Sequence, residues 1–273
     1  VVEAVKDDGY VVLNADDPLV AEAAKRVKSK IIYYSKQEDN IIVHRHVVNG
    51  GLAVFLKGQH ITIATGDGFI QCMDVSKIPA TYGGKLTYNI ENSLAAVSVA
   101  YAMKIPMETI QKALASFYAD EIHNPGRFNV FNIRDFRVVV DYAHNISGYT
   151  QVIEAIKKMG ASRTIGIIGV PGDRQDDIIR RIGFIAGKGF ERVIIKEDIE
   201  LRGRRRGEVA KLLKEGVLSS GMDPSNVEII LSEVEALKAA MKTAKAGDLI
   251  AIFYENLEPI MAVIKEMLSN VEI

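Results

Sequence analysis

The amino-acid sequence predicts an α/β protein whose later part is a Rossmann-like, mostly parallel sheet with helices on both faces. Three observations lead there. From about residue 124 onward, short Val- and Ile-rich runs alternate with helix-length amphipathic stretches over five cycles, as parallel strands require for their crossover connections. Between Ile41 and Asp74, four short β-branched runs are separated by Asn49-Gly50-Gly51, Lys57-Gly58 and Gly66-Asp67-Gly68, which is hairpin turn chemistry and predicts a small antiparallel sheet. The chain has 273 residues, 48% of them hydrophobic, enough to bury the core of one to two domains.

The first element is a strand at Tyr10–Leu13, closed by Asn14-Ala15-Asp16-Asp17-Pro18. Pro18 suits the first position of a helix, with Asp16 or Asp17 as its cap, and that helix is expected to reach about Val27. Ile31–Tyr34 reads as the next strand, followed by the runs Ile41–Val43, Ala53–Leu56, His60–Ala64 and Phe69–Met73. Helices are expected at about Ile90–Met103, ended by Pro106, and at Met107–Phe117. The turn His123-Asn124-Pro125-Gly126 marks a change of rhythm and places the domain boundary near residues 120–126, giving domains 1–122 and 123–273. Beyond it, strands at Val138–Val140, Thr164–Ile168, Arg192–Ile195, Val227–Leu231 and Leu249–Phe253 alternate with helices near 148–159, 174–187, 207–219, 233–245 and 257–269. Ser232 and Glu235 form a capping box for the fourth of these helices.

Composition narrows the function classes. With 34 Lys+Arg against 35 Asp+Glu, there is no electrostatic reason to expect a nucleic-acid or anionic-membrane partner. The single cysteine, Cys72, excludes an internal disulfide framework and fits a reducing compartment. No run of about 18 apolar residues occurs, and the start lacks the basic and apolar regions of a signal peptide, so a cytoplasmic location is expected. The chain does not begin with Met, which reads as a piece cut from a longer protein. The five histidines and Cys72 show no zinc spacing, and no metal site is expected. His44 and His46 are expected on one strand face, at the surface. Gly83-Gly84-Lys85 is followed by Leu86 and is not a phosphate-binding P-loop.

Ligands of doubly wound sheets bind outside the carboxyl ends of the strands, which nominates three loops. In Asp141-Tyr142-Ala143-His144-Asn145, a carboxylate at a strand end can accept from ribose hydroxyls, with His144 beside it; on spacing alone, helix capping by Asp141 and Asn145 explains the pattern equally well. In Gly169-Val170-Pro171-Gly172-Asp173-Arg174, the glycines allow a phosphate near a helix start, but Asp173, Asp176 and Asp177 oppose it, and a purely structural turn stays open. In Glu197-Asp198-Ile199-Glu200-Leu201-Arg202-Gly203-Arg204, acidic residues beside a basic run suit a zwitterionic substrate; a solvated charged loop is the alternative. Asn89 and Asn92, one turn apart, either cap a helix or present amides to a purine edge. Arg127 either binds phosphate or base or makes an interdomain ion pair. No catalytic residue is assigned.

In order, Leu13-Asn14-Ala15-Asp16-Asp17-Pro18, Tyr88-Asn89-Ile90-Glu91-Asn92-Ser93-Leu94-Ala95-Ala96, Asn124-Pro125-Gly126-Arg127-Phe128, Val140-Asp141-Tyr142-Ala143-His144-Asn145, Gly172-Asp173-Arg174-Gln175-Asp176-Asp177 and Glu197-Asp198 with Leu201-Arg202-Gly203-Arg204 together resemble the Mur ligase superfamily. The last two stretches favour the Mur-like carboxy-terminal part of the cyanophycin synthetases. The resemblance implies that the first 120 or so residues are the later part of a central ATPase domain, and the rest a complete carboxy-terminal domain. It implies an ATP- and magnesium-dependent amide ligase that activates a carboxylate as an acyl phosphate. In the cyanophycin synthetases the partners are arginine and a poly-aspartate polymer.

Carried over residue by residue, Asn92 resembles the adenine-contacting amide, supported by Asn89. Arg127 resembles the arginine that reaches the nucleotide, and Asp141 the ribose ligand with His144 nearby. Glu197, Asp198, Arg202 and Arg204, with Asp173 and Arg174, are implied for the incoming amino acid. Two departures matter: the P-loop and the magnesium ligands of the family are not in this sequence, and Ile146 stands where many members have proline. On this reading the chain alone does not turn over ATP. Non-catalytic binding of nucleotide or amino acid, and another Mur-type ligase (peptidoglycan or folylpolyglutamate), are the competing expectations. A sheet lacking neighbours exposes an edge, so a homo-oligomer is expected.

Overall fold

The computed structural model describes residues 2–269 and parts the chain between Tyr118 and Ala119 into two units. The first holds strands β1 (Tyr10–Asn14), β2 (Lys30–Ser35), β3 (Leu52–Lys57), β4 (His60–Thr65) and β5 (Gly68–Asp74). Its helices are α1 (Pro18–Glu22), α2 (Ile41–Val48), α3 (Thr87–Ala102) and α4 (Met107–Ser116). The five strands form one sheet in the order β1-β2-β3-β4-β5, parallel across the first three and antiparallel across the last three. The expected antiparallel sheet is thus the second half of a mixed one. Asp17 caps α1 by accepting from the Leu19 and Val20 amides, and the last part of the expected helix tightens into a 3-10 turn at Ala23–Arg26.

The run Ile41–Val43 is a correction: it is helix, not strand. Asn40 accepts from the amides of Ile42 and Val43 and starts α2, whose Val43 is buried against Val11, Tyr33 and Phe55. The β-branched run lost to topology, because β2 and β3 are parallel and need a crossover between them. Asn49-Gly50-Gly51 accordingly ends a helix, with Gly50 at φ +80°, rather than turning a hairpin. His44 and His46 therefore share no strand face. His46 packs edge-on to Tyr33 and places its Nε2 3.0 Å from the Ile31 carbonyl.

The second unit holds β6 (Asn129–Ile133), β7 (Phe136–Asp141), β8 (Arg163–Ile168), β9 (Arg192–Ile195), β10 (Val227–Ile229) and β11 (Asp248–Phe253). Its helices are α5 (Ile146–Lys157), α6 (Asp176–Gly189), α7 (Glu208–Ser219), α8 (Glu233–Lys242) and α9 (Leu257–Ser269). The sheet order is β10-β9-β8-β11-β7-β6, parallel except for β6. The expected strands and helices are all present. β6, which the sequence reading did not anticipate, forms a hairpin with β7 around Arg134-Asp135, with Arg134 at φ +53°. The chain steps outward from β8 to β9 and β10, then returns to lay β11 on the other side of β8, so the order reverses between β8 and β11. That reversal opens the crevice in which such sheets hold ligands.

On one side, α6 and α7 pack through glycines. A Cβ at Gly216 would lie 2.0 Å from the Arg180 carbonyl oxygen, and one at Gly183 2.3 Å from that of Leu213. Ala at a helical glycine ordinarily stabilises by about 1 kcal/mol. Here the contact is with rigid backbone, so the clash dominates. Gly216→Ala is expected to destabilise the fold by about 1–3 kcal/mol, overpacking being the cause. Thermal unfolding checks this, and an unchanged or raised Tm would place the two helices farther apart.

Candidate active site at the carboxyl edge of the second sheet

Asp141 ends β7 and is only 6% exposed. Its Oδ2 accepts from the Phe128 amide at 2.9 Å and its Oδ1 from the Ala143 amide at 2.7 Å. Burial pushes its carboxyl up to about 6, although those two amides and the Arg127 guanidinium pull the other way. Asn145, not Asp141, caps α5, accepting from the Gly148 amide. Arg127 lies over the ring of Tyr142 at 4.8 Å, and Tyr142 in turn packs on His144 at 5.1 Å and Tyr254 at 5.4 Å. His144 Nδ1 is 3.1 Å from the Tyr142 carbonyl, so Nδ1 carries the proton and Nε2 is the acceptor of the neutral ring. Gly126, at φ +73°, lets this layer close, because a Cβ there would sit 2.0 Å from Tyr254 Oη.

Beneath the crevice lies Tyr149 of α5, fully buried and stacked on Phe253 at 3.9 Å. Its hydroxyl donates to the Gly169 carbonyl (2.8 Å) and accepts from the Gly169 amide (3.2 Å), which fixes the start of the loop after β8. Burial raises the Tyr149 phenol well above its usual range, and the carboxylates of Asp198 and Asp141 push it the same way.

The loops after β8 and β9 are clamped by Arg204. It donates to the carbonyls of Gly172 and Arg174 and to the carboxylates of Asp176 and Glu208, all at 2.7 Å. Arg202 pairs with Asp173 at 2.9 Å, which lowers the Asp173 carboxyl and raises the Arg202 guanidinium from their ordinary values. Arg174 places its Nε 3.9 Å from the same Asp173. Sequence reasoning grouped Asp173, Arg174, Arg202 and Arg204 for substrate, and the structure does bring them together, mostly by pairing them with one another.

Glu197 and Asp198 have different surroundings. Glu197 accepts from the amides of Gly207, Val209 and Ala210 at 2.7–3.3 Å, so its carboxylate closes the amino end of α7 from a distance. Arg206 Nε lies 3.6 Å from it. Asp198 instead bonds through Oδ1 to the ammonium of Lys196 at 2.7 Å. Lys196 is 1% exposed, reaches Glu233 Oε2 at 2.8 Å, and lies against Gly169, where a Cβ would meet its chain at 2.4 Å. Sequence reasoning missed Lys196, Tyr142, Tyr149 and Tyr254. The strand-end rule covers Lys196 and Tyr254, and it alone was the signal available.

In the first unit, Asn89 and Asn92 do not cap α3, whose N-cap is Leu86. Asn89 is buried and donates to the Ala80 carbonyl at 2.6 Å, while its Oδ1 accepts from Asn92 Nδ2 at 3.2 Å, leaving Asn92 exposed. Glu91, between them, accepts from Asn14 Nδ2 and pairs with Lys36 at 2.5 Å. Asp16 gathers Ser35, the Lys36 amide and Asn40, tying the carboxyl ends of β1 and β2.

Among the described residues, no group of three or more His, Cys, Asp or Glu is placed to hold a metal ion, and no helix is long and apolar enough to cross a membrane. Of the carboxylates at the second unit's edge, Asp141 and Glu197 accept from backbone amides, Asp198 from Lys196, and Asp173 and Asp176 from arginines.

Comparison with known proteins agrees with this fold. Residues 126–253 match the model for the Mur ligase glutamate ligase domain. The chain is 40% identical to a cyanophycin synthetase of Crocosphaera subtropica over 94% of its own length and 29% of that enzyme's. It is 28% identical to a UDP-N-acetylmuramoyl-L-alanyl-D-glutamate–2,6-diaminopimelate ligase of Alkaliphilus metalliredigens, covering 88% of this chain and 45% of that enzyme. In fold it is similar to the MurF ligase of Thermotoga maritima solved with ADP, with TM-score 0.62 and 15% identity over 99% of this chain and 56% of that one. The chain thus spans less than a third of the cyanophycin synthetases it matches. Residues 126–253 thus carry a Mur ligase glutamate ligase domain, and the chain is similar over 94% of its length to a cyanophycin synthetase.

Proposed function

We propose that this chain is the nucleotide- and amino-acid-binding part of an ATP-dependent carbon–nitrogen ligase of cyanophycin synthetase type. In that reaction a side-chain carboxylate of poly-aspartate, activated as an acyl phosphate, is attacked by the α-amino group of arginine. The bond formed is an amide and the leaving group is phosphate. The sequence contains no Gly-x-x-x-x-Gly-Lys-Ser/Thr, so on this reading the phosphate cradle is supplied from outside these 273 residues.

The observation that carries the nucleotide reading is Asp141 at the mouth of the crevice, with Arg127 stacked on Tyr142 beside it. An ionised carboxylate at a strand end accepts from ribose hydroxyls, a guanidinium held flat offers a face to a base, and His144 offers one ring nitrogen. In the first unit, Asn92, steadied by Asn89, has the donor and acceptor that a purine edge needs.

Titration calorimetry with ATP tests this. Asp141→Ala is expected to weaken binding at least about tenfold, the scale of a lost charge-assisted hydrogen bond. In the unaltered chain, affinity should fall as pH drops from 7.5 to 5.5, because the carboxyl protonates near 6 and ceases to be a pure acceptor. The sign for stability is opposite. A folded-state value above the unfolded one binds protons more tightly in the fold, so this stabilisation is full below about pH 4 and is lost as pH rises through about 6, a swing of about 3 kcal/mol. ATP affinity that is flat in pH and indifferent to Asp141→Ala would sink the nucleotide reading. Because the P-loop sequence is absent, a non-catalytic binding module is the second reading. Joining an upstream P-loop segment and assaying ATP- and arginine-dependent phosphate release separates the two.

A further inference from the structure

Around Asp198 the carboxyl edge is built with unusual completeness. Lys196 Nζ takes one oxygen from Asp198 and one from Glu233, at 2.7 and 2.8 Å, and is itself buried. Glu233 uses its carboxylate further, accepting from the amides of Glu255 and Asn256. Glu255 accepts from the amides of Ile199 and Glu200, directly after Asp198, and Arg206 donates to the Asp198 carbonyl. The loops after β9, β10 and β11 are therefore locked together, and Asp198 is fixed in backbone and side chain. Among the described residues, nothing donates to its second oxygen, Oδ2, although the side chain retains a tenth of its exposure. Four carboxylates lie in this region, those of Glu197, Asp198, Glu233 and Glu255, against three cations, Lys196, Arg206 and Arg202, whose guanidinium feels the Asp198 charge. The surplus negative charge favours a cation at the free oxygen.

We infer that Lys196 is a positioning residue, whose buried ammonium occupies one oxygen of Asp198 and thereby presents the other to the cationic group of the incoming amino acid. This rests on the ligase reading above, and it separates Asp198 from its neighbour Glu197: Asp198 meets the substrate, while Glu197 holds α7. Without Lys196, two carboxylates face each other with no cation between them, and Asp198 has no fixed direction.

The test uses this chain with arginine and its neutral isostere citrulline in titration calorimetry, and ATP as a separate titrant. The unaltered chain should prefer arginine by about tenfold or more, as a charge-assisted pair requires. Asp198→Asn and Lys196→Met should each bring that ratio near one, and the double variant should do no worse than either alone. The ratio reads specificity, because a partly unfolded sample lowers the number of sites without changing relative affinity. Should Lys196→Met fail to fold, Glu233→Gln keeps the ammonium but frees it to take both oxygens of Asp198, and the ratio should fall several-fold. A folded Lys196→Met or Glu233→Gln with undiminished preference overturns the inference and leaves the amino-acid reading standing. An unaltered chain that binds ATP but neither arginine nor citrulline overturns both.

Discussion

Glu197→Ala is expected to cost the second unit about 3–5 kcal/mol. Its carboxylate is the acceptor for three amides at the start of α7, and all three are left without a partner when it goes. A hydrogen bond to a charged group contributes about 1.5–3 kcal/mol, and the negative charge also complements the positive end of the helix by up to about 1 kcal/mol. The sum is not additive, since water reaches the half-buried Gly207 amide but not the buried amides of Val209 and Ala210. Denaturant unfolding measures the loss. Glu197→Gln should lose less, because its one oxygen still serves the two buried amides. An alanine variant with unchanged stability and lost arginine binding would return Glu197 to the substrate.

Lys196→Met ranks beside it. Removing one partner of a buried charge cluster leaves the others uncompensated, a loss of about 3–5 kcal/mol even when the replacement fills the same volume. Two carboxylates are stranded here, and Glu233 also organises the start of α9 through the Glu255 and Asn256 amides. Adding Asp198→Asn to the variant should recover part of the loss, because one stranded charge is removed. If the double variant is instead less stable by the full sum of the single effects, the residues are not coupled. Chemical denaturation of the four proteins closes that cycle.

The periodic elements were legible in the sequence because each obeys one local rule. β7, β8, β9 and β11 are buried on both faces and read as continuous apolar runs, and the helices between them show apolar stripes. Ile41–Val43 misled because its β-branched residues fit a strand locally, whereas the parallel pairing of β2 with β3, a non-local fact, required a helix. β6 was missed since Asn129–Ile133 carries two asparagines, and Asn129 uses its side chain to bind the Gly126 amide. The candidate site follows the same division. Strand ends were readable, so Asp141 and Asp198 were singled out. Which carboxylate is saturated depends on the amides of α7 and the ammonium of Lys196, and neither contact is visible in spacing. Tyr149 was hidden because it reaches Gly169 from a helix face, where a tyrosine looks like ordinary core.

The place of β11 has a consequence for how the protein is made. It is the last strand of its sheet to be synthesised, yet it lies in the middle, with β8 on one side and β7 on the other. Until residues 248–253 leave the ribosome, the hairpin β6–β7 and the ribbon β8–β9–β10 have no hydrogen bonds to each other and expose two facing edges. The emerging chain is an open book with apolar pages, and it closes only once β11 is available. Such late, long-range pairing is slow and exposes strands to wrong partners. A chain stopped before β11 therefore loses more than one strand: the switch point between β8 and β11, where the strand order reverses, never comes into being.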